Sequence, residues 1–215
     1  MTKIPVAICF LGPPASGKGT MASKIQENLG YPSVSPGNIF KSIRDQKTET
    51  AELVKESVKD GGLCPSWLTN KIVLEESQRL IDSGAKFITL DGFPRTLDQL
   101  DFLLENFDIK YFLHSATHYM TMKKLVVNRR NCQNCKTVFS CLKPPIKCGD
   151  ECQIDDSSRW ETRWDDTPEF FAKRYNVFKK ETEPVINAVK NKSNYIKLDL
   201  IKNDDSLKIL LDLLN

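Results

Sequence analysis

FLGPPASGKGT, residues 10–20, stands directly behind the apolar run Val6-Ala7-Ile8-Cys9-Phe10, and its reading decides the fold. Its eleven residues hold three glycines, two prolines and one lysine. Between a buried strand and a helix, glycines permit backbone angles that a β-carbon forbids, so the chain can turn its own N–H groups toward an anion at the helix N-terminus. Gly12 to Lys18 fits G-x-x-x-x-G-K, with Gly19-Thr20 following where the general motif has Ser or Thr at once. The amides of Ser16 to Thr20 would cradle phosphate oxygens while Lys18 neutralises charge at the β and γ positions. Thr20 would reach a phosphate or its magnesium. The bland alternative, a Gly/Pro turn with a solvated lysine, does not explain why a strand precedes and a helix follows.

Outward from this loop, short apolar runs alternate with longer amphipathic stretches. Val6–Phe10, Lys86–Leu90, Ile109–Leu113 and Tyr195–Leu200 read as strands. Lys18–Leu29, Ser66–Ser83, Leu97–Asn106, Thr117–Asn128 and Thr167–Lys190 read as helices. Such alternation predicts an α/β fold, a parallel sheet with helices on both faces. Two stretches fit poorly. Ser35–Cys64 opens with a serine N-cap and Pro36 at the first helical position, and reads as a small helical insertion. Asn131–Asp166 holds cysteines, Pro144-Pro145 and Gly149 with little periodicity, and reads as a metal-stapled subdomain or a long loop.

The totals bound the rest. At 215 residues the chain accommodates one α/β domain with insertions or two small domains. A 40% hydrophobic and 27% charged composition is that of a globular protein, and a formal charge of +3 is too near neutral to argue for a nucleic-acid surface, so no nucleic-acid partner is expected and any basic site must come from local clustering. Only Lys3 precedes the first apolar run, with no small-residue cleavage site. No run approaches the roughly eighteen apolar residues of a membrane span, so a cytoplasmic chain with no membrane partner is expected.

Leu90-Asp91-Gly92-Phe93-Pro94-Arg95-Thr96 ends a predicted strand and therefore lies at the carboxyl edge of the sheet, beside the glycine loop, where open α/β sheets bind ligands. Asp91 there is suited to hold magnesium through water, and Arg95 to bridge two phosphates. Together the two segments resemble those of the nucleoside monophosphate kinases, most closely the adenylate kinase family. The marks are a GxPGxGKGT-like loop, a DGFPR segment and an arginine-rich lid. The order continues with Arg129-Arg130 before a Cys-x-x-Cys, then Arg163-Trp164-Asp165-Asp166, then Arg174, so the resemblance covers nearly the whole chain.

The resemblance implies reversible phosphoryl transfer from magnesium ATP to a nucleoside monophosphate. It implies a P-loop core with a five-stranded parallel sheet (residues 1–34, 65–128 and 167–215), a monophosphate-binding insertion (35–64) and a lid (129–166). Lys18, Arg95, Arg129, Arg163 and Arg174 would surround the phosphates as catalytic groups. Gly12, Pro13, Ala15, Ser16, Gly17, Lys18, Gly19, Thr20, Asp91 and Arg129 would take magnesium ATP. Ser35, Lys41, Cys64, Gly92, Arg95, Gln99, Arg163 and Arg174 would take AMP, with Asp165 and Asp166 holding lid arginines in place. Phosphoryl transfer needs alignment and positive charge more than covalent help, and arginine's planar fork suits it.

The chain departs from the family pattern at several positions. Ala15 stands where the loop usually has glycine. The monophosphate-side segment reads Ser35-Pro36-Gly37-Asn38-Ile39-Phe40-Lys41, with Pro for the usual Thr, Asn for Asp and Lys for Arg. Lys41 keeps the charge and loses bidentate geometry, with Arg44 one turn on as a compensating candidate. Gln99 matches the glutamine that reads the adenine edge of AMP, favouring AMP over UMP or CMP. Leu125 replaces the arginine that stacks on the donor base, leaving ATP and GTP both open as donors.

Of seven cysteines, five crowd between Cys132 and Cys152. Cys132-x2-Cys135 and Cys148-x3-Cys152 have zinc-knuckle spacing and would form a four-sulfur structural site, with Glu151 competing with Cys152 and Cys141 spare. Cys9 reads as core, and the lone His114 and His118, near a strand end without acidic or cysteine partners at ligand spacing, read as ordinary structural residues rather than ligands. The rival functions are a GTP-dependent AMP kinase, a pyrimidine monophosphate kinase and, from another class, a catalytically weak nucleotide-binding protein with a zinc ribbon. A monomer acting on small nucleotides, with magnesium and structural zinc, is the expectation.

Overall fold

The computed structural model describes residues 4–133, 138–141, 160–201 and 206–214. Its centre is the strand before the glycine loop. β1 (Val6–Leu11) lies between β3 (Ile88–Asp91) and β4 (Asp108–Ser115), with β2 (Ser33–Val34) outside β3 and β8 (Tyr195–Leu198) outside β4, all parallel. Successive strand residues face opposite ways, and the two faces of β1 build two cores. Ala7, Cys9 and Leu11 pack with Ile88, Leu90 and Phe112 under α4 (Ser66–Asp82), α5 (Leu97–Asn106) and α8 (Glu183–Val189). Ile8, Phe10 and Leu113 pack under α1 (Lys18–Leu29) and α9 (Ser206–Leu214). A strand buried on both faces reads as a continuous apolar run, which is why this one was legible.

The expected helices are present with small shifts at their ends. α6 spans Tyr119–Val127. Thr167–Lys190 divides into α7 (Pro168–Val177), a π-helical turn (Phe178–Thr182) and α8, with the Thr167 hydroxyl capping α7 by accepting from Phe170 N at 3.1 Å. The insertion carries α2 (Pro36–Arg44) and α3 (Glu49–Val58), which with α4 enclose a small core of Phe40, Val54, Cys64 and Leu68. Ser35 occupies the N-cap position of α2, but its side chain makes no capping bond; its carbonyl accepts from Asn38 and Ile39 instead.

Three features went unread in the sequence. β2 is two residues long, too short for a period-two signal. α9 was not anticipated, although Leu210 and Leu214 are buried. The segment expected to lack periodicity holds an antiparallel sheet, β5 (Arg129–Cys132) flanked by β6 (Val138–Ser140) and β7 (Trp160–Glu161). Its strands are four, three and two residues long. Among the described residues no helix is long and apolar enough to cross a membrane.

Candidate active site

Parallel strands bring their carboxyl ends to one edge, so Leu11, Asp91, Ser115 and Leu198 finish side by side: Phe10 is in register with Asp91, Leu11 with His114, and Ser115 with Leu198. The glycine loop rises from this edge and ends at Gly17, the left-handed N-cap of α1. Gly12 (φ +139°) admits no side chain, since a β-carbon there would lie 2.7 Å from the Ser115 carbonyl oxygen. Ser115, a residue the sequence did not single out, also donates its hydroxyl to the Ser16 carbonyl. The signal available was its position at the end of the strand beside β1. Ala15 sits at φ +59°, the left-handed region where a β-carbon costs about 1–2 kcal/mol.

Lys18 begins α1 and folds its ammonium back over the loop, donating to Pro13 O at 2.7 Å and Ser16 Oγ at 3.3 Å. Burial lowers its pKa to about 8, against the attraction of Asp91 and with the repulsion of Arg95 and Arg174. Asp91 lies across from the first turn of α1, where a β-carbon on Gly19 would stand 3.2 Å from its Oδ2. Thr20 is exposed on that turn. An acid facing a lysine and a row of helix-terminal amides fits a metal-bound polyphosphate, with the carboxylate on the metal side and the ammonium on the phosphate side.

The segment after β3 is braced internally. Arg95 Nε donates to Gly92 O at 2.7 Å, and Arg95 N donates to Gln99 Oε1 at 2.8 Å. Gln99 is buried, so this contact fixes both the amide's orientation and the turn that aims Arg95. Burial holds the Arg95 guanidinium below its ordinary value, opposed by Asp91 and Cys64. Cys64 is buried, and desolvation pushes its thiol up to about 11, the nearby Arg95 opposing, so it stays neutral.

A second group of charges lies on the small antiparallel sheet, on the segment before α7 and on α7 itself. Arg129 opens β5 and forks onto Asp166; Arg174 on α7 donates to Asp165 Oδ2 at 3.1 Å; Arg163 donates to Asn131 Oδ1 at 3.3 Å. Burial above all, opposed by Asp165 and Asp166 and aided by Arg95 and Arg129, brings the Arg174 pKa down to about 10. Arg163 is lowered by burial and then by Arg129, with the acids opposing. Lys41, on the insertion, remains solvent-exposed, yet desolvation and then Arg163, Arg129 and Arg174, against Asp165, bring its ammonium to about 8. These mutual effects require proximity. Lys18, Lys41, Arg95, Arg129, Arg163 and Arg174 thus gather from the core, the insertion and the small sheet around one space.

The remaining candidates are not part of this group of charges. Arg44 pairs with its neighbour Asp45 at 3.5 Å. Leu125 lies half-buried on α6. His114 meets the Tyr195 hydroxyl at 2.5 Å, and burial with Lys197 and Lys18 nearby lowers it to about 4; His118 caps α6 by accepting from Met120 N. Trp160 packs edge-on against Phe139 within the small sheet, whereas Trp164 is exposed beside Phe170. Of the zinc candidates only Cys132, buried at the end of β5, belongs to the described residues; Cys135, Cys148 and Cys152 lie outside them. Among the described residues no cluster of three or more potential metal ligands occurs.

Comparison with known proteins agrees with this geometry. The family described as Adenylate kinase matches residues 10–194. The adenylate kinase of Rickettsia akari (strain Hartford) is 33% identical over 207 residues, covering 94% of this chain and 95% of the relative. That of Orientia tsutsugamushi (strain Ikeda) is 34% identical, covering 95% and 94%, and that of Rickettsia prowazekii (strain Madrid E) is 33% identical, covering 94% of each.

Proposed function

Because this chain belongs to the adenylate kinase family, we infer that it transfers the γ-phosphoryl group of magnesium ATP reversibly to AMP, giving two ADP. The observation that carries the reading is the gathering of Lys18, Arg95 and Arg174 beside the glycine loop and Asp91, with Arg129 close to Arg174, and Lys41 and Arg163 close to Arg129 in turn. A protein that merely bound a nucleotide would have no need to hold so much like charge together.

In this reading the loop amides from Ser16 to Thr20 and the Lys18 ammonium hold the donor's β- and γ-phosphates. Asp91 and Thr20 would hold the magnesium carried with the nucleotide, which would supply further neutralisation of phosphate charge. Lys41 and Arg95 hold the acceptor phosphate, while Gln99 presents its amide to the acceptor base between Cys64, Gly92 and Ser35. Arg129, Arg163 and Arg174 then spread positive charge over the equatorial oxygens of the transferring group, which carry the negative charge of a loose transition state. Asp166 and Asp165 keep two of these arginines from collapsing onto other partners. The insertion (35–64) and lid (129–166) exclude water that would otherwise hydrolyse the donor.

We also assign structural zinc to the lid, on Cys132, Cys135, Cys148 and Cys152. Four thiolates are a soft, closed donor set suited to zinc, and a subdomain built on strands of two to four residues has little core of its own. The chain acts as a cytoplasmic monomer in this reading, as its small-molecule substrates and self-contained site favour. A coupled assay with magnesium ATP and each nucleoside monophosphate tests the whole. AMP is expected to give ADP, and turnover confined to CMP or UMP would defeat the acceptor assignment. Leu125 favours a second reading of the donor side, because an aliphatic wall discriminates bases weakly: GTP is expected to replace ATP with less than about tenfold loss.

A further inference from the structure

Where the insertion returns to the core, α3 ends at Val58 and the chain turns through Asp60-Gly61-Gly62, with Gly61 N donating to Val58 O at 3.0 Å. This turn rests on α7. Gly61 is buried at φ +78°, and a β-carbon on it would lie 3.0 Å from Arg174 Cγ and 3.4 Å from Arg174 N. A contact of 3.0 Å is tighter than most side chains make, so a β-carbon here would push the stem of Arg174 aside by a few tenths of an ångström, and the positive φ adds strain of its own. The preceding residue reaches the same helix: Asp60 Oδ1 stands 2.8 Å from Lys173 Nζ. The far end of Arg174 is held at 3.1 Å by Asp165. The arginine is therefore gripped at its stem by the insertion and at its head by the segment before α7, and nothing in the motif order required the first grip.

We propose that the Asp60-Gly61 turn is a positioning element for Arg174. Its bare α-carbon sets the arginine's stem, and its carboxylate, by tying Lys173, holds the acceptor-side insertion in register with the helix that delivers the guanidinium. The inference rests on the reading that Arg174 meets the transferring phosphoryl group. Asp60 and Gly61 touch no reacting atom; they act through Arg174.

The test uses the full chain and steady-state phosphoryl transfer between magnesium ATP and AMP, with thermal unfolding run on every variant. Asp60→Asn and Lys173→Met remove an exposed ion pair and leave the fold intact. Each is expected to lower kcat about two- to threefold with KM for ATP unchanged, the size of effect such pairs carry. The charge-reversed pair Asp60→Lys with Lys173→Asp is expected to restore most of that loss. Gly61→Ala, forced against the Arg174 stem, is expected to lower kcat by about tenfold or more, by the loss of aim that a misplacement of an ångström brings. In an Arg174→Lys background the Asp60→Asn effect should vanish, because the two act as a unit. If Arg174→Lys cripples kcat while Asp60→Asn, Lys173→Met and a folded Gly61→Ala leave it unchanged, this inference fails and the phosphoryl assignment survives. If Arg174→Lys itself leaves kcat unchanged, the assignment fails and takes the inference with it.

Discussion

Arg129 and Asp166, thirty-seven residues apart, meet fork to fork: Nε donates to Oδ2 at 2.8 Å and Nη2 donates to Oδ1. The carboxylate is fully buried and the arginine side chain only 16% exposed. Two parallel bonds fix the plane of the guanidinium. Removing one partner of a buried pair leaves an uncompensated charge. Asp166→Ala is therefore expected to destabilise the chain by about 3 kcal/mol. Denaturant unfolding measures this, and the same experiment on Asp165→Ala, whose pair with Arg174 is 18% and 30% exposed, should show a distinctly smaller loss.

Lys18 and Lys41 both titrate at about 8, against the ordinary 10.5. Their folded-state values are lowered, so between about pH 8 and 10.5 the unfolded chain binds more protons than the folded one, and their contribution to stability rises with pH across that window. Function moves the opposite way, because phosphate needs the ammonium forms. The pH profile of kcat/KM, which reports the free enzyme, is expected to fall above about pH 8, while kcat, which reports the complex in which bound phosphate restores both protons, holds to higher pH. A kcat/KM flat to pH 10 would count against both assignments.

Ser115 supports the loop through one hydroxyl donated to the Ser16 carbonyl. Ser115→Ala removes that bond without adding bulk, and a neutral hydrogen bond of this kind is worth about 1 kcal/mol. KM for ATP should rise about fivefold while KM for AMP stays within error, since Arg95, proposed to hold the acceptor phosphate, is braced separately by Gln99 and Gly92. A rise in both constants together would place the effect on the fold instead.

Zinc content should approach about one ion per chain in protein purified without chelator, as expected for a four-thiolate structural site. Cys132→Ser should reduce it well below that, and chelation should lower the melting temperature of the native chain with little effect on the already reduced value of the variant. Full activity and unchanged melting in a demonstrably metal-free preparation would remove the metal from the account.

Local chemistry made some of this legible before any coordinates. Val6–Phe10 with the glycines behind it announces a buried strand and an anion-binding turn, because both are consequences of backbone sterics and an unbroken apolar run. Asp91 and Arg95 follow from the same logic at the next strand's end. The helical insertion showed itself through Ser35-Pro36, even though the serine's side chain makes no cap. Segments of two to four residues, such as Ser33–Val34 and Trp160–Glu161, left no periodic trace, since a period of two needs several repeats to be seen.

What the amino-acid order determined by itself is the inventory: a phosphate loop, a carboxyl-edge acid, and arginines spaced along a family pattern. Only the tertiary structure decided which arginine answers to which acid, that Gln99 accepts from the Arg95 backbone, and that Ser115 lies against the Ser16 carbonyl and Gly61 against the stem of Arg174. The physical reason is that charge type is a property of a residue, whereas direction and proximity are properties of the packing. A guanidinium points where its stem is seated, and that seat is built by residues far away in the chain.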